Sequence, residues 1–477
     1  MAAPPPPENT RRTGLPLRSA MAYGAGNFAF ALLGLVVAVN LQFFYTDYVG
    51  LSAGLVSWSL LFARLFDGVT DPVMGWLSDR THTRIGRRRP FILGAAIPLG
   101  VAFYFLFSPP ELGDPEENQV ALLGYMLALY MTTYAIWTIG AIPYFSLGAE
   151  LSDDYQERTR IIAIREGWAL TGLLAATILP AWLIHLYGGR DGYGFMGAIL
   201  GVGTSLFLLA SGGLVRERPE FHGRPPMSPY AGWLATLRNP HFRRILLAFT
   251  LSAIAGAVPA VLVIYVSVYV IGTPQWWVEA MPGWLPTWSY YLLVYFSAGV
   301  LSLPLWSTMA GRFGKRATWA AAIGLATVSS AACYWLTEGS IGYFTLLLVF
   351  GGMSFGNYIS LPASIVADLI DWDEVQTGRR REASYFAIWA FATKFGNAFT
   401  GFAALQVLEH VGYVPGVAQT ETVRSWMLWM YSWFPAAFYL ASGIALLRFH
   451  FTRDDLEVAQ QAIGRSAGAP EPPRSAG

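Results

Sequence analysis

Charge is what this sequence has least of. Only 13% of its 477 residues are Asp, Glu, Lys or Arg, against roughly 25% in a soluble domain. Hydrophobic residues make up 54%, and mean hydropathy is +0.42. That excludes an ordinary water-soluble domain and points to an integral membrane protein. The net charge of +1 gives no argument for a nucleic-acid partner. Cysteine is nearly absent. Cys333 alone excludes an internal disulfide and a Cys-based metal cluster, and its apolar setting reads as packing. There is no Gly-rich loop ending in Lys-Ser/Thr, so no ATP-driven pump is expected. The six histidines are scattered, and no His/Glu pair has metal-ligand spacing. No enzyme site is expected. A cleaved signal peptide is also not expected: the start is Pro-rich and polar, and the first apolar segment is too long. Residues 464–477 read as an unstructured tail.

What is there is a series of apolar runs. Twelve are long enough to span, given a need for about 20 residues each. They fall near 20–46, 52–78, 89–109, 120–149, 160–187 and 194–215. The second half has 243–272, 287–311, 317–337, 341–370, 383–410 and 425–450. The expected fold is all-α, with two six-helix bundles over 20–215 and 243–450. Between them runs a polar, Pro-rich linker over 216–242, and tails occupy 1–19 and 451–477.

The loops alternate in charge. Arg11, Arg12, Arg18, Arg80, Arg84, Arg87 to Arg89, Arg158, Arg160, Arg312, Lys315, Arg316 and Arg379 to Arg381 fall on one side. The other side has Arg190 and Arg424 beside Glu111, Asp114, Glu116 and Glu117. Basic loops stay in the cytoplasm, so both termini are expected there.

The halves repeat. Gly75 to Pro90 and Ser307 to Arg316 each place a glycine and a basic cluster after the second helix of a half. Ala141-Ile-Pro-Tyr-Phe-Ser-Leu-Gly-Ala-Glu150 matches Ser360-Leu-Pro-Ala-Ser-Ile-Val-Ala-Asp368. Duplicated bundles of this kind place solute near the midplane.

Charges inside the spans are few. Arg64, Asp67 and Asp71 are spaced i, i+3 and i+7, so they share one face of a helix. A charge at membrane centre costs about 2.5–3.5 kcal/mol on insertion scales, so this face looks at protein or water. Two hard carboxylates suit Na⁺ or a proton, and Pro72 loosens the helix beside them. The plainer reading is an Arg–Asp pair that only fixes packing, but one arginine leaves one carboxylate uncompensated. Lys394 stands in a chain of 29 Arg and 2 Lys. A desolvated lysine can lose its proton and arginine cannot, so a coupling or solute role is expected over snorkelling. Arg165 and Glu166 lie nearer a helix end. Trp137 on the fourth helix reads as core or lipid-facing when taken alone, and the Trp-rich turn 274–288 reads as an interfacial belt.

Phe62-Ala-Arg-Leu-Phe-Asp-Gly-Val-Thr-Asp-Pro-Val-Met-Gly75 resembles the second helix of the glycoside–pentoside–hexuronide:cation symporters, the melibiose-carrier branch of the major facilitator superfamily. Tyr23-Gly-Ala-Gly26, Ile142-Pro-Tyr-Phe-Ser146, Ala367-Asp-Leu-Ile-Asp371, Arg380-Arg-Glu382 and Lys394 extend the resemblance over nearly the whole chain. It implies a cation site at Asp67 and Asp71 with Thr70 and Thr138 beside them. Lys394 and Arg64 would couple the sites, and Arg165, Trp137 and Phe145 would line the solute cavity. The family's two sugar-binding aspartates fall at Ala31 and Ala141, and Phe145 stands for an indole, so galactoside specificity does not transfer.

The resulting expectation is a monomeric carrier in a bacterial inner membrane. It couples Na⁺, H⁺ or Li⁺ to a glycoside, with no other cofactor. The related animal sodium-dependent lysophosphatidylcholine transporters keep the helix-two aspartates and a Thr-Lys-Phe like Thr393-Lys394-Phe395, so a lysophospholipid or other amphiphile is the alternative cargo.

Overall fold

The computed structural model describes residues 15–152, 155–215, 217, 236–377 and 382–448. Arg11, Arg12, most of the 216–242 linker, Arg379 to Arg381 and the C-terminal tail lie outside them. The described chain is helical, with one isolated bridge between Thr83 and Gly86 and no strand. The first half holds α1 (Leu17–Phe43), α2 (Ala53–Arg80), α3 (Arg89–Leu106), α4 (Gln119–Glu150), α5 (Tyr155–Tyr187) and α6 (Gly189–Leu214). The second holds α7 (Pro240–Val266), α8 (Gln275–Ala280), α9 (Thr287–Phe313), α10 (Lys315–Ala332), α11 (Ile341–Thr377), α12 (Glu382–His410), α13 (Glu421–Tyr431) and α14 (Trp433–Leu447).

Each of the twelve expected apolar segments is largely helical among the described residues. Among the described residues, ten spans meet a length and apolarity criterion for crossing a membrane, with α13 and α14 forming one of them. The two helices that fall short are α2 and α12. They carry Arg64, Asp67, Asp71 and Lys394, and these charges dilute their apolarity. Three details differ from expectation. Helices α1 and α7 each close with a five-residue π-turn, Phe44–Tyr48 and Ser267–Ile271. The last segment breaks at Ser432, shortly before Pro435. The Trp-rich turn contains α8; Trp276 is exposed as a belt residue should be, but Trp277 and Trp288 are buried.

Two compact units form. One comprises Met1–Val37, Val69–Pro110 and Ala128–Pro226; the other comprises Ala38–Gly68, Glu111–Leu127 and Met227–Gly477. In the first, α3 packs on α6 where a Cβ at Gly100 would strike the Gly201 carbonyl, and the reverse. Close backbone approach at small residues is how helices associate without a hydrophobic drive between them. In the second, α9 packs on α11 through Gly299, Gly352 and Gly356 in the same way. There α7, α10, α11, α12 and α14 share a core of Phe242, Phe249, Trp319, Leu369, Tyr385 and Trp389. Outward positions such as Val120, Leu206, Leu301 and Val328 are large, apolar and exposed, as a lipid-facing surface requires.

The repeat is visible in ion pairs. In the first unit Arg87 and Arg88, both buried, bind Glu150 at the end of α4 at 2.6 and 3.1 Å. Arg88 also binds Asp79 at 2.6 Å and donates to Ser78. Glu217 accepts the backbone N–H groups of Arg87, Arg88 and Arg89 at 2.7–2.8 Å, capping α3. In the second unit Lys315 binds Asp368 on α11 at 2.6 Å. Glu150 and Asp368 end the two stretches matched by the internal repeat. Removing one partner of a buried pair costs about 3–5 kcal/mol, because it strands the other charge. Glu150→Gln is therefore expected to lower the thermal unfolding midpoint of the purified protein clearly, whereas Asp368→Asn, whose partner is more exposed, is expected to lower it less.

Candidate functional site

The polar stripe of α2 exists because an uninterrupted helix carries its residues through Pro72. Asp67 is 1% exposed, and the Arg64 guanidinium stands 3.4 Å from its Oδ2. Arg64 is less enclosed, at 24%, so the carboxylate is the more deeply desolvated partner. Four residues on, Asp71 accepts a 2.9 Å hydrogen bond from the hydroxyl of Thr138, itself 2% exposed. Thr70, half-buried, lies one residue before Asp71. A buried carboxylate costs free energy unless its charge is answered. Within the first unit, the Asp71 carboxylate and the Thr138 hydroxyl are hard oxygen donors of the kind a small cation takes.

Lys394 is half-buried on α12. This helix meets α2 closely: a Cβ on Gly68 would stand 3.7 Å from the Phe391 ring. Phe391 and Lys394 are three residues apart, so they share a face of α12, and Gly68 directly follows Asp67. The contact seen between α12 and α2 is thus the one between Phe391 and Gly68.

In the first unit the aromatic residues form a continuous group. Trp137 lies 5.2 Å from Phe30 and 6.2 Å from Tyr134 between ring centroids. Gly34 leaves room for it, since a Cβ there would stand 3.4 Å from the indole. Phe30 continues to Phe145 at 6.1 Å. Arg165 sits over the Phe145 face at 5.3 Å and binds Glu166 at 2.5 Å. Phe145 is 42% exposed. Such a surface can stack on the apolar face of a ring, while the guanidinium donates to oxygens. Ala31 and Ala141 add no polar group here.

Sequence reasoning missed the residues that hold this group in place. Tyr23 and Tyr144 stack at 4.7 Å, and the Tyr144 hydroxyl donates to the Tyr23 carbonyl at 2.7 Å. The Asn27 amide donates to the Arg165 carbonyl at 3.3 Å. The signal was present in Tyr23-Gly-Ala-Gly26: side chains at Gly24 and Gly26 would strike Trp168 and Tyr144.

Over 459 residues the chain is 27% identical to the inner membrane symporter YicJ of Escherichia coli (strain K12), covering 94% of this chain and 95% of that one. It is 27% identical over 466 residues to the putative glycoside/cation symporter YagG of the same strain, covering 96% and 97%. Among solved structures, a bacterial homologue of the human lysosomal transporter Spinster superposes with a TM-score of 0.63 at 14% identity, covering 92% of this chain and 98% of that one; at that identity it speaks for the fold alone. Residues 22–453 match the family model described as MFS/sugar transport protein, and the chain belongs to that family of transporters.

Proposed function

We propose that this protein is a cation-coupled symporter that carries a glycoside-type solute across a bacterial inner membrane by alternating access, with both termini cytoplasmic. The observation that carries the reading is the α2 stripe, where Asp67 is buried beside Arg64 and Asp71 is bonded to Thr138. The name of YagG, a putative glycoside/cation symporter, supports the same solute class and coupling mode.

In the proposed cycle a small cation enters from outside and binds Asp67 and Asp71, with Thr70 and Thr138 as neutral ligands. Its charge releases Lys394 from the acids. The solute then docks against Trp137, Phe145 and Arg165, and the loaded carrier rocks. The carrier is read as acting as a monomer. The aromatic and guanidinium surface favours sugar rings over lysolipid tails, and the absence of carboxylates at Ala31 and Ala141 favours a glycoside with an apolar or anionic substituent.

A thermal-shift screen of glycosides, hexuronides and lysophospholipids in Na⁺, Li⁺ and choline salts tests this. Ligands that bind the folded state stabilise it by mass action, by about 2.7 kcal/mol at a hundredfold excess over Kd. A glycoside is expected to raise the unfolding midpoint in one alkali cation and not in choline. Stabilisation by lysophospholipid alone, in every salt, would overturn the solute assignment.

A further inference from the structure

The π-turns that end α1 and α7 meet. Each is closed by a bond reaching five residues back, Val49 N–H to Phe44 O at 3.1 Å and Gly272 N–H to Ser267 O at 2.9 Å. Such turns are rare and frequent at functional sites. Here they aim polar side chains at one another. The Thr46 and Tyr265 hydroxyls are 2.8 Å apart. Asp47 accepts hydrogen bonds from Thr46 at 2.5 Å, from Tyr269, and from Tyr413 at 2.8 and 2.7 Å on its two oxygens. The Tyr269 hydroxyl accepts from the Gly416 N–H at 2.9 Å, which brings in the turn after α12. Burial, then the neighbouring Tyr265 and Asp47, hold the Tyr413 phenol far above its ordinary pKa, so it stays a donor. Among the described residues Asp47 has no ion pair.

A second layer lies one to two turns along. Glu409 accepts from the Gly54 N–H at 3.1 Å. Gln406 donates to the Gly54 carbonyl at 3.2 Å and to the Ser57 hydroxyl at 2.8 Å, and the Trp58 ring meets Phe402 at 4.8 Å. The ends of α1 and α2 are thereby fastened to α7, to α12 and to the turn following it. By the loop charges, this is the outer end of the protein.

We propose that Asp47, with Tyr269 and Tyr413, is the clasp that shuts the solute path at the outer end, and that the two π-turns are its halves. The chemistry suits a reversible closure. A carboxylate and hydroxyls that part are rehydrated and exchange their partners for water, whereas an apolar seam would expose surface that water does not repay. Asp47 holds hydroxyl donors from two segments besides its own, Tyr269 of the second π-turn and Tyr413 of the turn after α12, so removing it releases both. This proposal rests on the carrier reading above but not on its cation site.

The test uses the full-length protein with Cys333, its only thiol and a buried one, replaced by Ala. Ser57→Cys is added as reporter, because Ser57 is buried behind Gln406. Right-side-out vesicles are treated with a membrane-impermeant maleimide, with no solute or ion gradient. Asp47→Asn, and Tyr269→Phe with Tyr413→Phe, are each expected to raise the labelling rate at least about tenfold, the effect of roughly 1.4 kcal/mol on an opening equilibrium. Combining Asp47→Asn with Tyr413→Phe is expected to add little, since the two share one interaction. Tyr413→Phe alone keeps the ring and is expected to give a smaller rise; it carries the test if Asp47→Asn does not fold. Rates within twofold of the parent in all variants, or a rise seen only in inside-out vesicles, would overturn the clasp. Unchanged labelling with cation-driven uptake intact sinks the clasp alone, and increased labelling in a protein that shows no cation dependence sinks the coupling reading alone.

Discussion

Asp67→Asn and Asp71→Asn are each expected to abolish cation-stimulated uptake in proteoliposomes while the protein remains folded and monodisperse. Each substitution removes a full negative charge and keeps the shape. The amide introduced by Asp71→Asn retains an oxygen that can accept from Thr138, whose hydroxyl bonds Asp71 at 2.9 Å. Asp67→Asn leaves Arg64 with access to water, since that side chain is 24% exposed. Folding is therefore spared and the electrostatics are not. At an effective dielectric of about 20, two unit charges about 4 Å apart interact by about 4 kcal/mol. Losing even about two-thirds of that lowers cation affinity on the order of a hundredfold. Uptake that keeps its Na⁺, Li⁺ or H⁺ dependence in both variants would refute the ion site.

Lys394→Ala carries the second large effect, and its signature is a split between two measurements. If the lysine answers the acids in the empty carrier, it competes with the cation for them. Removing it is expected to leave cation affinity unchanged or to raise it about tenfold, a fraction of the pair energy above. Solute accumulation against a gradient is expected to fall by more than about tenfold, because nothing then links cation arrival to solute docking. Lys394→Arg keeps the charge but cannot shed a proton, and separates a purely ionic role from one that needs a neutral amine. Wild-type accumulation by Lys394→Ala would show that the lysine only braces α12.

The α2 stripe was legible in the sequence because two simple rules meet there. Helical spacing places Arg64, Asp67 and Asp71 on one face, and the cost of a charge in lipid turns that face inward. The repeat was legible for a similar reason: Glu150 and Asp368 follow matching Pro-containing stretches, and the structure gives each a basic partner from the loop two helices earlier. What could not be read depends on backbone register or distant partners. Apolar periodicity does not distinguish the last α-turn of α1 from a π-turn. Asp47 carries no local mark, since its partners Tyr269 and Tyr413 lie 222 and 366 residues away. The fastening of Arg165 was hidden too, because Tyr23, Asn27 and Tyr144 resemble many other buried polar residues until Gly24 and Gly26 bring the helices together.

The two loop ion clusters are not equals, although they repeat one design. The first sets two buried arginines against Glu150 and Asp79, with side-chain exposures of 7% for each arginine. The second is a single Lys315–Asp368 pair, exposed at 37% and 18%. Dissolved salt screens open pairs and scarcely reaches enclosed ones. Ionic strength therefore acts on the two halves unequally: a rise from dilute buffer to molar salt loosens the α10–α11 junction while the α2–α3–α4 junction stays pinned. The salt dependence of these two junctions thus originates in the second of them, independently of which ion the carrier transports.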